Sequence, residues 1–243
     1  YSAMKKSILF IFQAIAIIIA TTLYCSSVVI MMLLMRSKTI FFPMCRSWSR
    51  VLLAISGVKV NIIGDVDLPP KTSCVYVCNH ASLFDIPVLF AYLPDYVRIM
   101  YKRELRKIPI MGWTLAVSPF IPITRADGRD AMRSVNESIE AVQHGESVIV
   151  FAEGTRSQDG SLGEFKRGAF MVAARSRKAI VPVTLIGTST ILPKKKLYFN
   201  GGTVTMVINS SVTLGDEPNK QQENEARLAV HAIIADNLEN LNN

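Results

Sequence analysis

Acidic residues are missing from the first 57 positions of this 243-residue chain. Six basic side chains, Lys5, Lys6, Arg36, Lys38, Arg46 and Arg50, stand there unopposed, whereas the remainder carries 21 basic against 19 acidic side chains. A polycation confined to one segment excludes the basic stripe along a folded domain that nucleic-acid binding requires. It suits anionic lipid headgroups, where each nearby Lys or Arg contributes about 1 kcal/mol. Glycine, proline and charge are all absent from Ser7 to Met35. As a helix that run would be about 43 Å long against a hydrocarbon core of roughly 30 Å, too long for a signal peptide or an ordinary core helix. Histidine is scarce: a multi-histidine metal site would consume most of His80, His144 and His231. The four cysteines, Cys25, Cys45, Cys74 and Cys78, lack metal or disulfide spacing and read as small buried hydrophobes in a reducing compartment. No metal is expected. Repeats and low-complexity tracts are absent too, which leaves room for one α/β domain plus a membrane element.

The apolar run is followed by a different pattern. From Thr39 to Ser56, apolar Ile40, Phe41, Met44, Trp48, Val51, Leu52 and Ile55 are interleaved with Arg46 and Arg50, as in an interfacial helix. Two arrangements fit: a single tilted span, or a helical pair embedded in one leaflet, of which we favour the pair. The excess of positive charge on the C-terminal side of the run puts the rest of the chain on the cytoplasmic face, and we expect a bacterial inner membrane. Tyr1-Ser2-Ala3 reads as a remnant ahead of a natural start at Met4. The expected organisation is membrane-associated helices over 4–57 and one folded domain over 58–243.

Beyond Gly57 apolar runs of strand length alternate with helical periodicity. Strands are expected at Val58–Ile63, Ser73–Cys78, Tyr96–Tyr101, Phe120–Ile123, Ser147–Phe151, Ile180–Ile186 and Thr203–Ile208. Helices are expected near 85–93, 103–117, 128–144, 167–178 and 220–241. Strands separated by helices predict an α/β fold with a largely parallel or mixed sheet flanked by helices. In such sheets the chemistry gathers at the carboxyl ends of the strands.

Two motifs fall there. Asn79-His80-Ala81-Ser82-Leu83-Phe84-Asp85 follows the apolar run Cys74–Cys78. Pro87 marks a helix start at Asp85, since proline is tolerated in the first turn; a loop then folds Asp85 back onto His80, a general base with its orienting carboxylate. The alternative is structural: Asp85 as a helix N-cap, or Ser82 with Asp85 as a capping box. The second motif, Phe151-Ala-Glu-Gly-Thr-Arg-Ser157, joins Glu153, flexible backbone at Gly154, the Thr155 hydroxyl and the Arg156 guanidinium, groups suited to a phosphate or glycerol backbone. Lys166, Arg167 and Gly168 then open a helix. Solvated charges on a polar turn are the competing reading.

These residues resemble the lysophosphatidate acyltransferases (1-acylglycerol-3-phosphate acyltransferases) of the glycerolipid acyltransferase superfamily. Asn79-His80-x4-Asp85 resembles the family's first block; Lys102-Arg-Glu-Leu105, Ile108-Pro109 and Gly112-Trp113 resemble the segment leading to the second. Phe120-Ile-Pro-Ile-Thr-Arg125 is similar to the second block, Phe151–Ser157 to the third and Ile180-Val-Pro-Val183 to the fourth. Ala152 stands where the family usually has proline. The resemblance implies that His80 takes a proton from the acceptor hydroxyl and that Asp85 holds the imidazole. It further implies that Glu153, Gly154, Thr155 and Arg156 hold the glycerol phosphate, with Arg125 and Lys102 as further cations. Lysophosphatidate would be the acceptor and phosphatidate the product. Acyl-coenzyme A or acyl-carrier protein would be the donor, with no other cofactor, and membrane phospholipids the surroundings. Alternative acceptors are glycerol 3-phosphate or another lyso-lipid, and a membrane-bound thioester hydrolase would use the same His–Asp pair.

Overall fold

The computed structural model describes residues 2–35, 40–69, 71–124, 128–157, 160–192, 199–215 and 217–241. Two helices lead: α1 (Ser2–Met35) and α2 (Phe41–Ile55). A seven-stranded sheet follows, built from β1 (Val58–Ile63), β2 (Val75–Cys78), β3 (Val97–Lys102), β4 (Ile121–Ile123), β5 (Ser147–Phe151), β6 (Ile180–Ile186) and β7 (Gly202–Ile208). Between and after the strands come α3 (Asp85–Tyr92), α4 (Met111–Val117), α5 (Gly128–Gln143), α6 (Gly168–Ser176), the single turn α7 (Thr188–Ile191) and α8 (Lys220–Leu241). The strand order is β1-β7-β6-β2-β5-β3-β4. Among the described strands every pairing is parallel except β6 with β7, and Ile180 of β6 adds an isolated antiparallel bridge to Val212, which makes the sheet mixed.

The alternation of side chains along β2 explains how the layers form. Cys74, Tyr76 and Cys78 point to one face, where they pack with Leu53 of α2, Val88 and Leu89 of α3, and Val181 and Leu185 of β6. Val75 and Val77 point to the other, against Val135 and Val142 of α5, Phe170 and Ala173 of α6, and Val230 and Ile234 of α8. A strand covered on both faces carries no polar alternation, and β2 and β6 are buried at every position. Burial also pushes the Cys78 thiol well up and that of Cys74 to about 12, which keeps both protonated and unreactive.

Helix α1 divides lengthwise. Ile8, Phe12, Ile15, Ile19, Leu23, Ile30 and Leu34 are exposed, whereas Val28 is buried. The inner side touches the rest of the molecule at intervals of a turn or two. Phe10 meets Phe199, Gln13 Nε2 donates to the Ile55 carbonyl, Trp48 donates to Thr21, Tyr24 pairs with Ser47, and Thr114 Oγ1 donates to the Cys25 carbonyl.

Several expected boundaries shift by one or two residues, as where the strand expected from Ser73 starts at Val75, and other sequence-based expectations change for identifiable reasons. The helix expected over 103–117 is split into a 3₁₀ turn, Arg103–Lys107, and α4. Pro109 restricts Ile108 to extended backbone, and Ile110 then adopts φ +64° as Met111 N–H closes a three-residue turn onto the Pro109 carbonyl at 2.7 Å. Arg177, at φ 55°, ends α6 short of the expected 178. Arg46 is not a free lipid-facing cation: its guanidinium donates to the carbonyls of Leu93 at 2.6 Å, Pro94 at 3.3 Å, Phe90 at 3.4 Å and Asp95 at 3.5 Å. That is a cation on the negative end of α3, supplied by α2. Arg46→Met is expected to lower stability by about 2 kcal/mol, because those carbonyls lose a charged donor. Thermal unfolding in detergent measures it, with Arg50→Met, whose residue is exposed, as the near-neutral control.

Candidate active site

Strand β2 ends at Cys78, and the next residue extends its pairing with a side chain in place of backbone. Asn79 Oδ1 accepts Leu185 N–H at 2.8 Å and Asn79 Nδ2 donates to the Leu185 carbonyl at 2.9 Å. The chain is thus tied to β6 one residue before His80, which leaves the strand at the carboxyl edge of the sheet.

His80 is buried and held from four directions. Its Nδ1 lies 2.7 Å from Asp85 Oδ2. Its ring stacks on Phe151 with centroids 4.0 Å apart and planes 19° from parallel. Its backbone N–H donates to Glu153 Oε1 at 2.8 Å, and its carbonyl accepts from Ser157 N–H at 2.8 Å. With Asp85 accepting from Nδ1–H, the neutral imidazole carries its lone pair on Nε2. Nε2 has no hydrogen bond among the described residues, and His80 lines the cavity described below.

The two readings of Asp85 turn out to be one structure. Oδ2 accepts from Ala81 N–H at 2.8 Å and Ser82 N–H at 2.9 Å while also holding His80. This is half of a capping box, because Ser82 Oγ serves Phe84 N–H instead of the Asp85 amide. The same oxygen that folds the loop orients the ring. Asp85 is fully buried, and its Oδ1 has no hydrogen-bond partner among the described residues.

The second motif separates into a scaffold and an exposed arm. Glu153 is buried, and its two oxygens each take a backbone N–H, from His80 and from Gly163 at 3.1 Å. Its carboxylate joins the ends of β2 and β5 to the 160s loop. Ala152, where the resembling family usually has proline, is the second residue of the turn closed by Gly154 N–H on the Phe151 carbonyl at 3.0 Å, a position that proline also favours. Gly154 has φ +74°, and a Cβ there would lie 2.9 Å from Lys166 Nζ; glycine serves both demands. Thr155 and Arg156 are exposed.

A cavity of about 370 Å³ opens beside His80. Apolar residues of the leading helices (Val28, Phe41, Met44, Trp48) and of the domain (Phe90, Ile99, Leu115, Phe120) line it. Among the described residues its lysine and arginine lining groups are Lys102 and Arg156, both exposed, so they mark the open end. Lys102 makes only a loose pair with Glu104 at 3.7 Å. The structure therefore brings His80, Asp85, Lys102 and Arg156 together, sets Glu153 and Gly154 behind them, and puts Thr155 on the surface. Arg125 lies outside the described residues. Phe151, which opens the second motif and has no catalytic role expected from sequence, is the ring under His80. The parallel register of Cys78 with Phe151 puts it there, and no local pattern carries that information.

Asp130 at the start of α5 ties the Thr124 backbone to the Arg103 side chain near this end of the site. Its Oδ2 accepts from Thr124 N–H at 2.6 Å and its Oδ1 from Arg103 at 2.7 Å. Arg103 also reaches Thr124 Oγ1 at 3.1 Å. Lys102 and Arg125 are the immediate neighbours of these residues in sequence.

The acyltransferase family model, described as "Acyltransferase", matches residues 59–186. The chain is 40% identical over 156 residues to the chloroplast 1-acyl-sn-glycerol-3-phosphate acyltransferase of Arabidopsis thaliana, covering 63% of this chain and 44% of that protein. It is 31% identical over 161 residues to the enzyme of the same name from Helicobacter pylori, covering 66% of this chain and 67% of that one. The chain thus spans about half the length of the chloroplast relatives that it matches. Among solved structures, the 1-acyl-sn-glycerophosphate (LPA) acyltransferase of Thermotoga maritima superposes with a TM-score of 0.82 at 25% identity, covering 98% of this chain and 97% of that one.

The Asp130 clamp has a pH signature. Hydrogen bonds from Thr124 and then Arg103 lower its carboxyl from 3.8 to about 2. A depressed carboxyl contributes stability above its unfolded value and loses it as pH falls through the folded one. The window is therefore about pH 4 to 2. Asp130→Asn is expected to flatten the fall of the melting temperature across that window, and unfolding scans of both proteins at stepped pH measure the difference.

Proposed function

Since the chain belongs to the 1-acyl-sn-glycerol-3-phosphate acyltransferase family, we propose that it moves a fatty acyl group from a thioester donor to the free hydroxyl of lysophosphatidate, giving phosphatidate. The observation that carries this reading is the convergence of three parts: an imidazole whose Nε2 has no partner among the described residues, an apolar cavity beside it, and two exposed cations at the cavity's open end. A base alone fits a hydrolase. A base with a phosphate-sized cationic flank and room for hydrocarbon fits an acceptor that has both a phosphate and a tail.

In this mechanism His80 Nε2 removes the proton from the acceptor hydroxyl as its oxygen attacks the thioester carbonyl carbon. The Asp85 carboxylate and the face of Phe151 stabilise the imidazolium that forms. When the tetrahedral adduct collapses, the carbon–sulfur bond breaks and the leaving thiolate takes the proton back from His80. The acceptor is itself the nucleophile, so no acyl-enzyme is required, and the residues call for neither metal nor redox cofactor. Acyl-coenzyme A and acyl-carrier protein present the same thioester, and either serves as co-substrate here. Arg156 and Lys102 hold the acceptor's phosphate, with Arg125, the residue after Thr124 in sequence, as a further cation, and Thr155 adds a hydroxyl at the same edge. Glu153 and Gly154 serve by shaping the loop that carries Arg156 and by holding the His80 backbone.

We assign residues 4–57 to membrane association and 58–243 to catalysis on the cytoplasmic face, surrounded by phospholipid. A one-leaflet arrangement is favoured by how far α1 stays against the rest of the molecule. Its contacts run from Phe10 to Cys25, which is about 22 Å of helix. A helix docked along that length on its own domain does not cross a core of roughly 30 Å while the domain stays in water. Its exposed face is a row of isoleucine, leucine and phenylalanine suited to lipid.

Purified enzyme assayed with lysophosphatidate and each thioester donor tests the reading. His80→Ala is expected to lower kcat by about 10²–10⁴, the usual worth of a general base; near-normal turnover removes histidine from the chemistry. Arg156→Ala is expected to raise the acceptor KM by roughly 10- to 150-fold, the worth of one charge-assisted hydrogen bond. Thioester cleavage that does not depend on lysophosphatidate makes the protein a hydrolase instead.

A further inference from the structure

Between β3 and α4 lies a stretch that the mechanism uses only on its inner side. Lys102, Leu105, Met111, Thr114 and Leu115 line the cavity. The outer side is a different surface. Trp113 is 62% exposed and Ile108 44% exposed, and Arg106 and Lys107 are exposed beside them. An indole and a β-branched side chain left in water next to cations match the composition of a membrane interface. The surface is also continuous with α1, because α4 packs on that helix and Thr114, adjacent to Trp113, is bonded to the Cys25 carbonyl.

The backbone is committed to this display. Ile110, β-branched, holds φ +64° in the three-residue turn before α4, a conformation that costs free energy and persists only where the surroundings over-determine it. Gly112 is pressed so closely on the 3₁₀ turn that a Cβ there would fall on the Arg106 carbonyl. The close approach fixes the angle between the 3₁₀ turn and α4, and with it the joint exposure of Lys107, Ile108 and Trp113.

We propose that Arg106, Lys107, Ile108 and Trp113 form a second membrane-docking surface, on the catalytic domain itself, that seats in the headgroup layer of an anionic bilayer. Lys107 meets lipid phosphates together with the outer nitrogens of Arg106, whose Nε donates to the Tyr101 hydroxyl at 2.6 Å, and the indole and isoleucine enter the upper acyl region. Because Lys102 and Leu105 of the same stretch line the cavity, docking brings its open end to the depth at which a lipid acceptor's phosphate lies. The inference rests on the membrane reading of α1, and its effect on rate also rests on the acyl-transfer reading. An acidic carrier protein would meet the same cations, but it gives no reason for the apolar pair or for continuity with α1.

The full chain is reconstituted in phosphatidylcholine–phosphatidylglycerol vesicles, with and without lipids brominated near the headgroup end of the acyl chains. The chain has two tryptophans, so the emission lost in Trp113→Phe is that of Trp113. Quenching of that component by the brominated lipid is expected; emission indifferent to bromine overturns the proposal. This arm needs no turnover, so its failure is distinct from failure of the acyl-transfer reading. In the rate arm, Lys107→Glu is expected to slow acylation of a long-chain acceptor about fivefold in anionic vesicles, the worth of one basic residue at a charged surface. A short-chain, water-dispersed acceptor should react at the wild-type rate. Equal loss on both acceptors, or a loss confined to the KM of a carrier-protein donor, overturns membrane docking.

Discussion

One carboxylate oxygen organises the catalytic edge of this molecule. Asp85 Oδ2 accepts two backbone N–H groups and the His80 ring within 2.9 Å. To do so it must sit at the first turn of a helix while the chain doubles back from the end of β2. Everything near the site follows from keeping that turn in place. Asn79 anchors the strand end to β6, Glu153 holds the His80 backbone, and Phe151 supports the ring. At its far end α3 is held by Arg46 from α2. A buried carboxylate tolerates little displacement, because each lost donor leaves charge without a partner in a low-dielectric surrounding. The helix that begins at Asp85 is therefore pinned at both ends, and one of the two pins comes from the leading helices.

That connection makes the apolar N-terminal segment part of the site's architecture. Helices α1 and α2 contribute a wall of the cavity beside His80, and Trp48 and Tyr24 in that wall are themselves tied across the helix pair. A lipid substrate poses one physical problem: its reacting hydroxyl and phosphate are polar while its tail is not. The arrangement answers by putting hydrocarbon-lined space and two exposed cations on one cavity, with the imidazole beside it. On the acyl-transfer reading, binding the tail and positioning the hydroxyl are a single event, in which apolar burial helps to hold the reacting oxygen near the base.

Much of this was legible in the residues. Strands Val58–Ile63, Ser147–Phe151 and Ile180–Ile186 and the helix over 220–241 appear with the expected bounds, because long apolar or periodic runs state their period unambiguously. Pro87 correctly signalled a helix starting at Asp85. The helix expected over 103–117 shows the opposite case. Its periodicity was adequate, but Pro109 and the close packing of Gly112 on the Arg106 carbonyl break it. Arg46 illustrates a further kind of miss: its charge suggested headgroups, yet the nearest negative potential was the carbonyl end of α3.

The sequence by itself determined the alternation of strands and helices, the apolar leading segment, and the loop in which His80 and Asp85 meet. Each of these rests on forces acting over a few residues: side-chain periodicity, the φ restriction of proline and the capping of a helix start. Tertiary structure alone decided that Glu153 would spend its carboxylate on the backbone of His80, 73 residues away, while Arg156, three positions on, stayed exposed at the cavity. It likewise decided that Phe151 would lie under the imidazole. Those outcomes depend on the parallel register of β2 with β5, on the packing of α2 over α3, and on that of α1 over α2 and α4. Register and packing are settled by the burial of the whole sheet, a sum over distant residues that no local stretch contains.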